Sequence, residues 1–286
     1  MTVRVPTRRP RRLLAFVVAV SALAGILPVA APATVSAGQA PTAREGDALP
    51  ASPTVDIIEG YIRTWLNDDR VARGLRPLRL DVRLRGVARD RASRLAVLNV
   101  LDHAAAGDLT DQLAAADVQQ FGWGEDIGWT GYAWGQDAAR SLYGMWKNSP
   151  EHWTLMMSPD FNYVGIGLGY RQAGNATFGS IVFTDSADKT PPAAEMTGAT
   201  RTGTTVHFSW TGTDVVLQTH TSGIASYDVQ YRVGAGSWRT IRTKTKSTAL
   251  SLSSRPHGYT YYLSVRARDK AGNLSPWSPA LHVYVP

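Results

Sequence analysis

The feature that most constrains this chain is a change of hydrophobic period at Asp188-Lys189-Thr190-Pro191-Pro192. Before it, apolar residues recur at spacings of three and four, the period of an amphipathic helix; after it they alternate, the period of a half-buried strand. The change predicts an α+β part followed by an all-β part. A chain of 286 residues gives each enough length for its own core. The expected division is a leader at 1–37, a flexible lead-in at 38–52, a first domain at 53–188, a linker at 189–192 and a second domain at 193–286.

In the first part, Ile57, Ile58, Tyr61, Ile62, Trp65 and Leu66 predict a helix that Gly74 stops. Leu84, Val87, Ala88, Arg91, Ala92, Leu95 and Leu98 predict a second. Nine arginines lie from Arg70 to Arg94, interleaved with acids, and read as a solvated helix face. Short helical patterns follow near 111–116 and from Gln136 to Trp146, with Ala139, Leu142, Tyr143 and Trp146 on one stripe. Val164–Tyr170 and Thr177–Phe183 read as strands around a turn at Gly174-Asn175. After Pro192, strands are predicted at Val206–Trp210, Tyr227–Tyr231, Trp238–Ile241 and Tyr261–Ala267.

Charge and cysteine content exclude several functions. There are no cysteines, so disulfides, thiolate metal sites and Cys nucleophiles are ruled out. Of the net charge of +7, five units come from arginines in residues 1–37. The rest is near +2, with an acidic first part and a basic second part holding 10 basic against 4 acidic residues. That is no nucleic-acid footprint, though the basic half suits an anionic surface. A basic start, an apolar run from Leu13 to Ala31 and small residues after it have the layout of a secretory signal. Cleavage is expected after Ala33 or Ala37, no membrane span is expected in the mature chain, and the place is extracellular or envelope-associated.

The chemistry-bearing residues of the first part are His103, Glu125 in the Gly-rich segment 122–129, and His152 in a loop after Trp146. Two imidazoles and a carboxylate in one cleft can bind a ligand, hold a divalent metal, or act as a base with its orienting partner. Glu151, beside His152, reads as facing solvent or the cleft. Ser149 reads as a helix cap rather than a nucleophile. Trp123, Trp129, Trp134, Trp146 and Trp153 rim a groove or pack the core.

The run Leu66 to Asp81, with Leu84, Ala88, Ala92, His103, Gly107, Gly124-Glu125-Asp126-Ile127-Gly128, Trp146-x-x-Ser149-Pro150-Glu151-His152 and Phe161-x-x-Val164-Gly165-Ile166-Gly167, resembles the CAP superfamily. That superfamily, also called SCP-like, comprises cysteine-rich secretory proteins, antigen 5 and pathogenesis-related proteins. The resemblance implies an α-β-α sandwich whose cleft is lined by two histidines and one or two acids, in some members with zinc. His103, Glu125 and His152 are the matching positions, with His103 and His152 the metal ligands if zinc binds. Two departures stand out: Asp126 replaces an Asn, and Ser149 falls where a second cleft acid is expected. The second part, through Trp210, Tyr227-x-Val229-x-Tyr231 and Tyr261-x-Leu263-x-Val265-x-Ala267, resembles a fibronectin type III module, an immunoglobulin-like sandwich with Tyr261 as tyrosine corner.

Three functions are therefore expected to compete. One is an exported protein binding a lipid, sterol-like or glycan ligand at His103, Glu125 and His152, with or without a divalent metal, and more in keeping with a binder than an enzyme. The second is a zinc-dependent hydrolase, peptidase-like, with Glu125 activating water. The third is an adhesion protein whose basic second domain docks on a cell-envelope component.

Overall fold

The computed structural model describes residues 54–286; the expected leader, its cleavage sites and the lead-in lie outside the described residues. Helix α1 (Val55–Ala72) buries Ile58, Ile62 and Leu66, each four residues on from the last, while Ile57 is half exposed. Gly74, at φ 77°, makes the left-handed stop and donates its N–H to the Val71 carbonyl at 2.9 Å. Helix α2 (Val82–Leu98) starts at Asp81, whose carboxylate accepts from the Arg83 and Leu84 amides. Its predicted stripe is buried from Leu84 to Leu95, but Leu98 is exposed.

A four-stranded sheet forms the middle layer in the order β1 (Arg79–Leu80), β3 (Tyr163–Arg171), β4 (Ala176–Asp185), β2 (Gly122–Thr130). β1 runs parallel to β3 and the other pairs are antiparallel. On one face α1 and α4 (Gln136–Asn148) pack on Val164, Ile166, Leu168, Ile181 and Phe183, around the fully buried Trp146. On the other face lies α2, and beyond it the short α3 (Leu109–Ala115). The segment carrying Glu151 and His152 is not a loop. It is a short helix, α5 (Pro150–Met156), in which Pro150 fills the first turn where no intrahelical amide bond is needed.

Alternation along β3 sets how close α2 can come. Gly165, Gly167 and Gly169 all face α2, and a Cβ on them would meet the backbone of Leu84, Ala88 and Ala92 at 2.1–2.5 Å. Three glycines at spacing two thus match three helix residues at spacing four, and the helix lies flush on the strand backbone.

Two of the nine arginines depart from the solvated face expected of them. Arg70 is fully buried and donates to the carbonyls of Met156, Ser158 and Arg76 at 2.8, 2.9 and 3.1 Å. Burial pulls its pKa down to about 10, so it is still a cation at neutral pH. Arg91 is also buried, within the apolar stripe of α2.

The C-terminal part is all-β. Strands β5 (Ala193–Thr202), β6 (Thr205–Thr213) and β9 (Ala249–Leu252) make one sheet. The other has the order β11 (Leu281–Val285), β10 (Tyr259–Asp269), β7 (Ile224–Val233), β8 (Arg239–Thr245). Between the sheets Trp210 packs edge-on against Tyr227, and the Tyr261 hydroxyl donates to the Pro256 carbonyl at 3.1 Å, the expected tyrosine corner. The chain is thus an α-β-α sandwich followed by a fibronectin-like β-sandwich. The β6–β7 connection inserts Leu217 among Leu84, Val87, Leu109 and Tyr163, so the second part completes a core cluster of the first. Among the described residues no helix is long and apolar enough to cross a membrane.

Gly167→Ala should cost about 3 kcal/mol, since the clash is with helix backbone that cannot turn aside. Gly86→Ala, with nothing within 4 Å of the added Cβ, should instead add about 0.5–1 kcal/mol through helix propensity. Urea unfolding of the two variants separates the cases; equal destabilisation would refute the flush packing.

Candidate functional site

Consecutive residues of β2 point to opposite faces of the sheet. Trp123, Glu125 and Ile127 face the α2 side, whereas Gly124 and Gly128 face Leu155, Phe161, Met145 and Trp146 on the α4–α5 side. Glu125 is 5 % exposed and its carboxylate is fully engaged. Oε1 accepts from Arg91 Nε at 2.5 Å and Ser180 Oγ at 2.9 Å; Oε2 accepts from Arg91 Nη2 at 2.7 Å and lies 2.8 Å from His103 Nδ1. Burial by itself would raise the Glu125 pKa, but the hydrogen bonds from His103 and Arg91 outweigh it, and the group is held below its ordinary value. Arg91 also donates to the carbonyls of His103 and Gly107 and to Gln112 Oε1, fixing the segment that carries His103.

Asp126 and His152 meet on the opposite face. His152 Nε2 is 4.0 Å from Asp126 Oδ1, beyond hydrogen-bond reach, and both Asp126 Oδ2 and His152 Nδ1 are buried without a partner. Burial, reinforced by the neighbouring Glu125 charge, pushes the Asp126 pKa well above its ordinary value. Burial likewise lowers that of His152, with Glu151 opposing and His103 adding to the effect. Both shifts favour the neutral form of the side chain. Glu151 is exposed in the first turn of α5, and the Ser149 hydroxyl makes no capping bond.

A cavity of about 330 Å³ opens beside the first group, lined by Arg91, His103, Asp108, Leu109, Trp123 and Glu125 among others. The structure therefore brings His103 and Glu125 together at one cavity, while His152 is not among its lining residues. Among the five tryptophans singled out above, Trp123 lines the cavity, Trp146 is core, Trp129 is 45 % exposed, and Trp134 and Trp153 are half-buried.

Zinc requires several donor atoms around one point at about 2 Å. The four bonds to Glu125 occupy the acceptor sites a carboxylate offers. Among the described residues, the one set of three His, Asp or Glu ligand atoms within 4.8 Å of one another is Asp188, Asp214 and Asp269. His103, Glu125 and His152 are not such a set. The aspartate trio lies where the two parts meet, its oxygens taken up by Thr190, Ser222, Val215 and Asn273.

The geometry can be set beside known proteins. The model of the cysteine-rich secretory protein family, CAP, matches residues 64–184. The chain carries a CAP domain. A Bacillus subtilis protein, YkwD, described as uncharacterized, is 27% identical over 144 residues, 49% of this chain and 53% of that protein. A chitinase of Paenibacillus xylanexedens is 32% identical over 123 residues, 43% of this chain and 20% of that protein. The chain thus spans about half of one relative's length and a fifth of the other's. For the C-terminal part, a solved fibronectin type III-like protein of Clostridium thermocellum is 24% identical over 34% of this chain and 96% of that protein, with a TM-score of 0.25.

Three residues that hold Glu125 and its surroundings in place were missed in the sequence: Arg91, Gln112 and Ser180. Arg91 had a signal, since a cation on an apolar stripe must find a buried partner; Gln112 and Ser180 had none.

Asp126→Asn should raise the melting temperature at pH 7. An acid whose native pKa is raised stabilises fully below its ordinary 3.8 and loses that contribution as pH rises through the native value. The gain over the parent should thus grow with pH above about 3.8 and vanish below it. A gain that is constant with pH would disprove a raised Asp126 pKa. Arg91→Ala, which strands a buried carboxylate, should cost about 3–5 kcal/mol by urea unfolding.

Proposed function

We propose that the chain is an exported binding protein whose CAP domain holds a small glycan unit in the cavity beside His103. The observation that carries this is the saturation of Glu125: a carboxylate with four hydrogen bonds and a lowered pKa orients His103 and does not itself react. With Nδ1 committed to Glu125, Nε2 of His103, a cavity-lining residue, is left as the ring nitrogen for a polar contact with a ligand. Trp123 supplies an aromatic wall and Asp108 a second polar group, the mixture that holds a sugar ring. A volume of about 330 Å³ is at the small end for ligand sites and suits one or two sugar units better than a sterol. The similarity to a chitinase over 123 residues supports a glycan setting. Export is supported by the leader pattern of residues 1–37, and an envelope contact by the basic second part.

A second reading is favoured by the same dyad. A histidine oriented by a buried carboxylate is the arrangement of a general base, so a hydrolase with His103 as base is the alternative.

Titration of the full chain with chito-oligosaccharides, followed by tryptophan fluorescence, should show saturable binding. His103→Ala should weaken it by about tenfold, the worth of one good polar contact. Binding of fatty acid or sterol with no response to the sugars would refute the glycan reading. Turnover of the bound sugar that His103→Ala abolishes would establish the hydrolase.

A further inference from the structure

A larger cavity, about 480 Å³, lies at the opposite edge of the sheet, where β1 is separated from β2 by two strands. Its walls come from α1, from β1 with the turn before it, and from the connection at 189–191 between the two parts. Three cations line it, Arg63, Arg79 and Lys189, against the single acid Asp81.

The charges there are unequally satisfied. Asp81 is spent: one oxygen caps α2 and the other accepts from Lys189 Nζ at 2.8 Å. Lys189 is fixed further by its amide, which donates to the Tyr163 hydroxyl at 2.7 Å, and by its ammonium lying 5.2 Å from the Tyr163 ring centre. Glu59, one turn before Arg63 on α1, gives its carboxylate to Arg89 and not to Arg63. The side chains of Arg63 and Arg79 have neither hydrogen bond nor ion pair among the described residues, although both residues line the cavity and neither is fully exposed.

We propose that this cavity binds an organic phosphate. Setting Lys189 against Asp81 leaves two uncompensated guanidiniums, and a phosphate monoester carries about −1.5 to −2 at neutral pH. Guanidinium forks match phosphate oxygens in pairs, which lysine cannot do. The volume is too large for bare phosphate, and Pro77, Leu78 and Leu80 offer an apolar wall for the organic body. Because the 189–191 connection forms part of the wall, an occupant touches the junction of the two parts as well as the CAP domain. The site stands apart from His103 and does not depend on the glycan reading. The phosphate has two possible sources, a soluble ester and a lipid headgroup.

The test is isothermal titration of the full chain with glycerol 3-phosphate, with glycerol as the uncharged control, alongside sedimentation with phosphatidylcholine vesicles containing phosphatidic acid. Saturable binding of the soluble ester identifies a free metabolite, and saturable binding to the vesicles alone identifies a headgroup; either supports the site. Arg63→Gln and Arg79→Gln should each weaken binding by about tenfold, as loss of one charge-assisted contact does, and the double variant should abolish it. His103→Ala should leave it unchanged. Melting curves of the glutamine variants, expected to match the parent, separate lost binding from lost fold. If neither probe saturates, or if a folded double variant binds as the parent does, the proposal is overturned.

Discussion

The close approach of α2 to β3 governs much of this molecule. Gly165, Gly167 and Gly169 leave no side chain between strand and helix, so the helix rests on the strand's own backbone. Side chains normally stand between packed layers, holding stacked sheets about 10 Å apart, and with none on the strand the helix comes nearer and carries every residue on its inner face toward the sheet. Arg91 thereby reaches across β4, which carries Ser180, to Glu125 on β2. With an ordinary residue at Gly167 the helix would have to lift, and the ion pair that organises the cavity would be stretched. The glycine ladder and the site chemistry are therefore two ends of one packing constraint.

The Arg91–Glu125 pair shows how such a constraint becomes chemistry. Buried ion pairs are costly unless every lone pair and proton finds a partner. Here the guanidinium also binds the backbone of His103 and Gly107, so the desolvated cation holds the segment that carries the imidazole. The carboxylate then fixes the ring through Nδ1. Positioning of this kind suits recognition, because it presents an unmoving polar atom to a ligand at little entropic cost. Across the strand, Asp126 and His152 have no such support. Their unpaired atoms mark the place where an acid replaces the amide expected from the family resemblance.

Much of the architecture was legible in the residues. The stripes of α1, α2 and α4, the alternating strands after Pro192, and the Tyr261 corner all follow from periods of three to four or two. Reading failed where a local signal was overruled or absent. Ser149-Pro150 ends one helix, as expected, but it also starts another, α5, because proline costs nothing in a first turn. The arginine run read as solvated, yet Arg70 and Arg91 are buried because carbonyls and a carboxylate brought by distant segments satisfy them. Leu217, in the β6–β7 connection, finds most of its apolar partners across the junction.

The sequence by itself determined the type of α1, α2, α3, α4, β3, β4, β6, β7, β8 and β10, the change of texture near 188–192, and the chemical identities of His103, Glu125 and His152. Those properties depend on short-range periodicity and on residue type. Tertiary structure alone decided which of them meet. Strand alternation sends Glu125 to His103 and Asp126 toward His152, and the choice of face depends on which helix covers each side of β2. Only the folded chain, likewise, places Arg63, Arg79 and Lys189 around one cavity, because α1, β1 and the connection after β4 become neighbours through the sheet order and not through proximity in sequence.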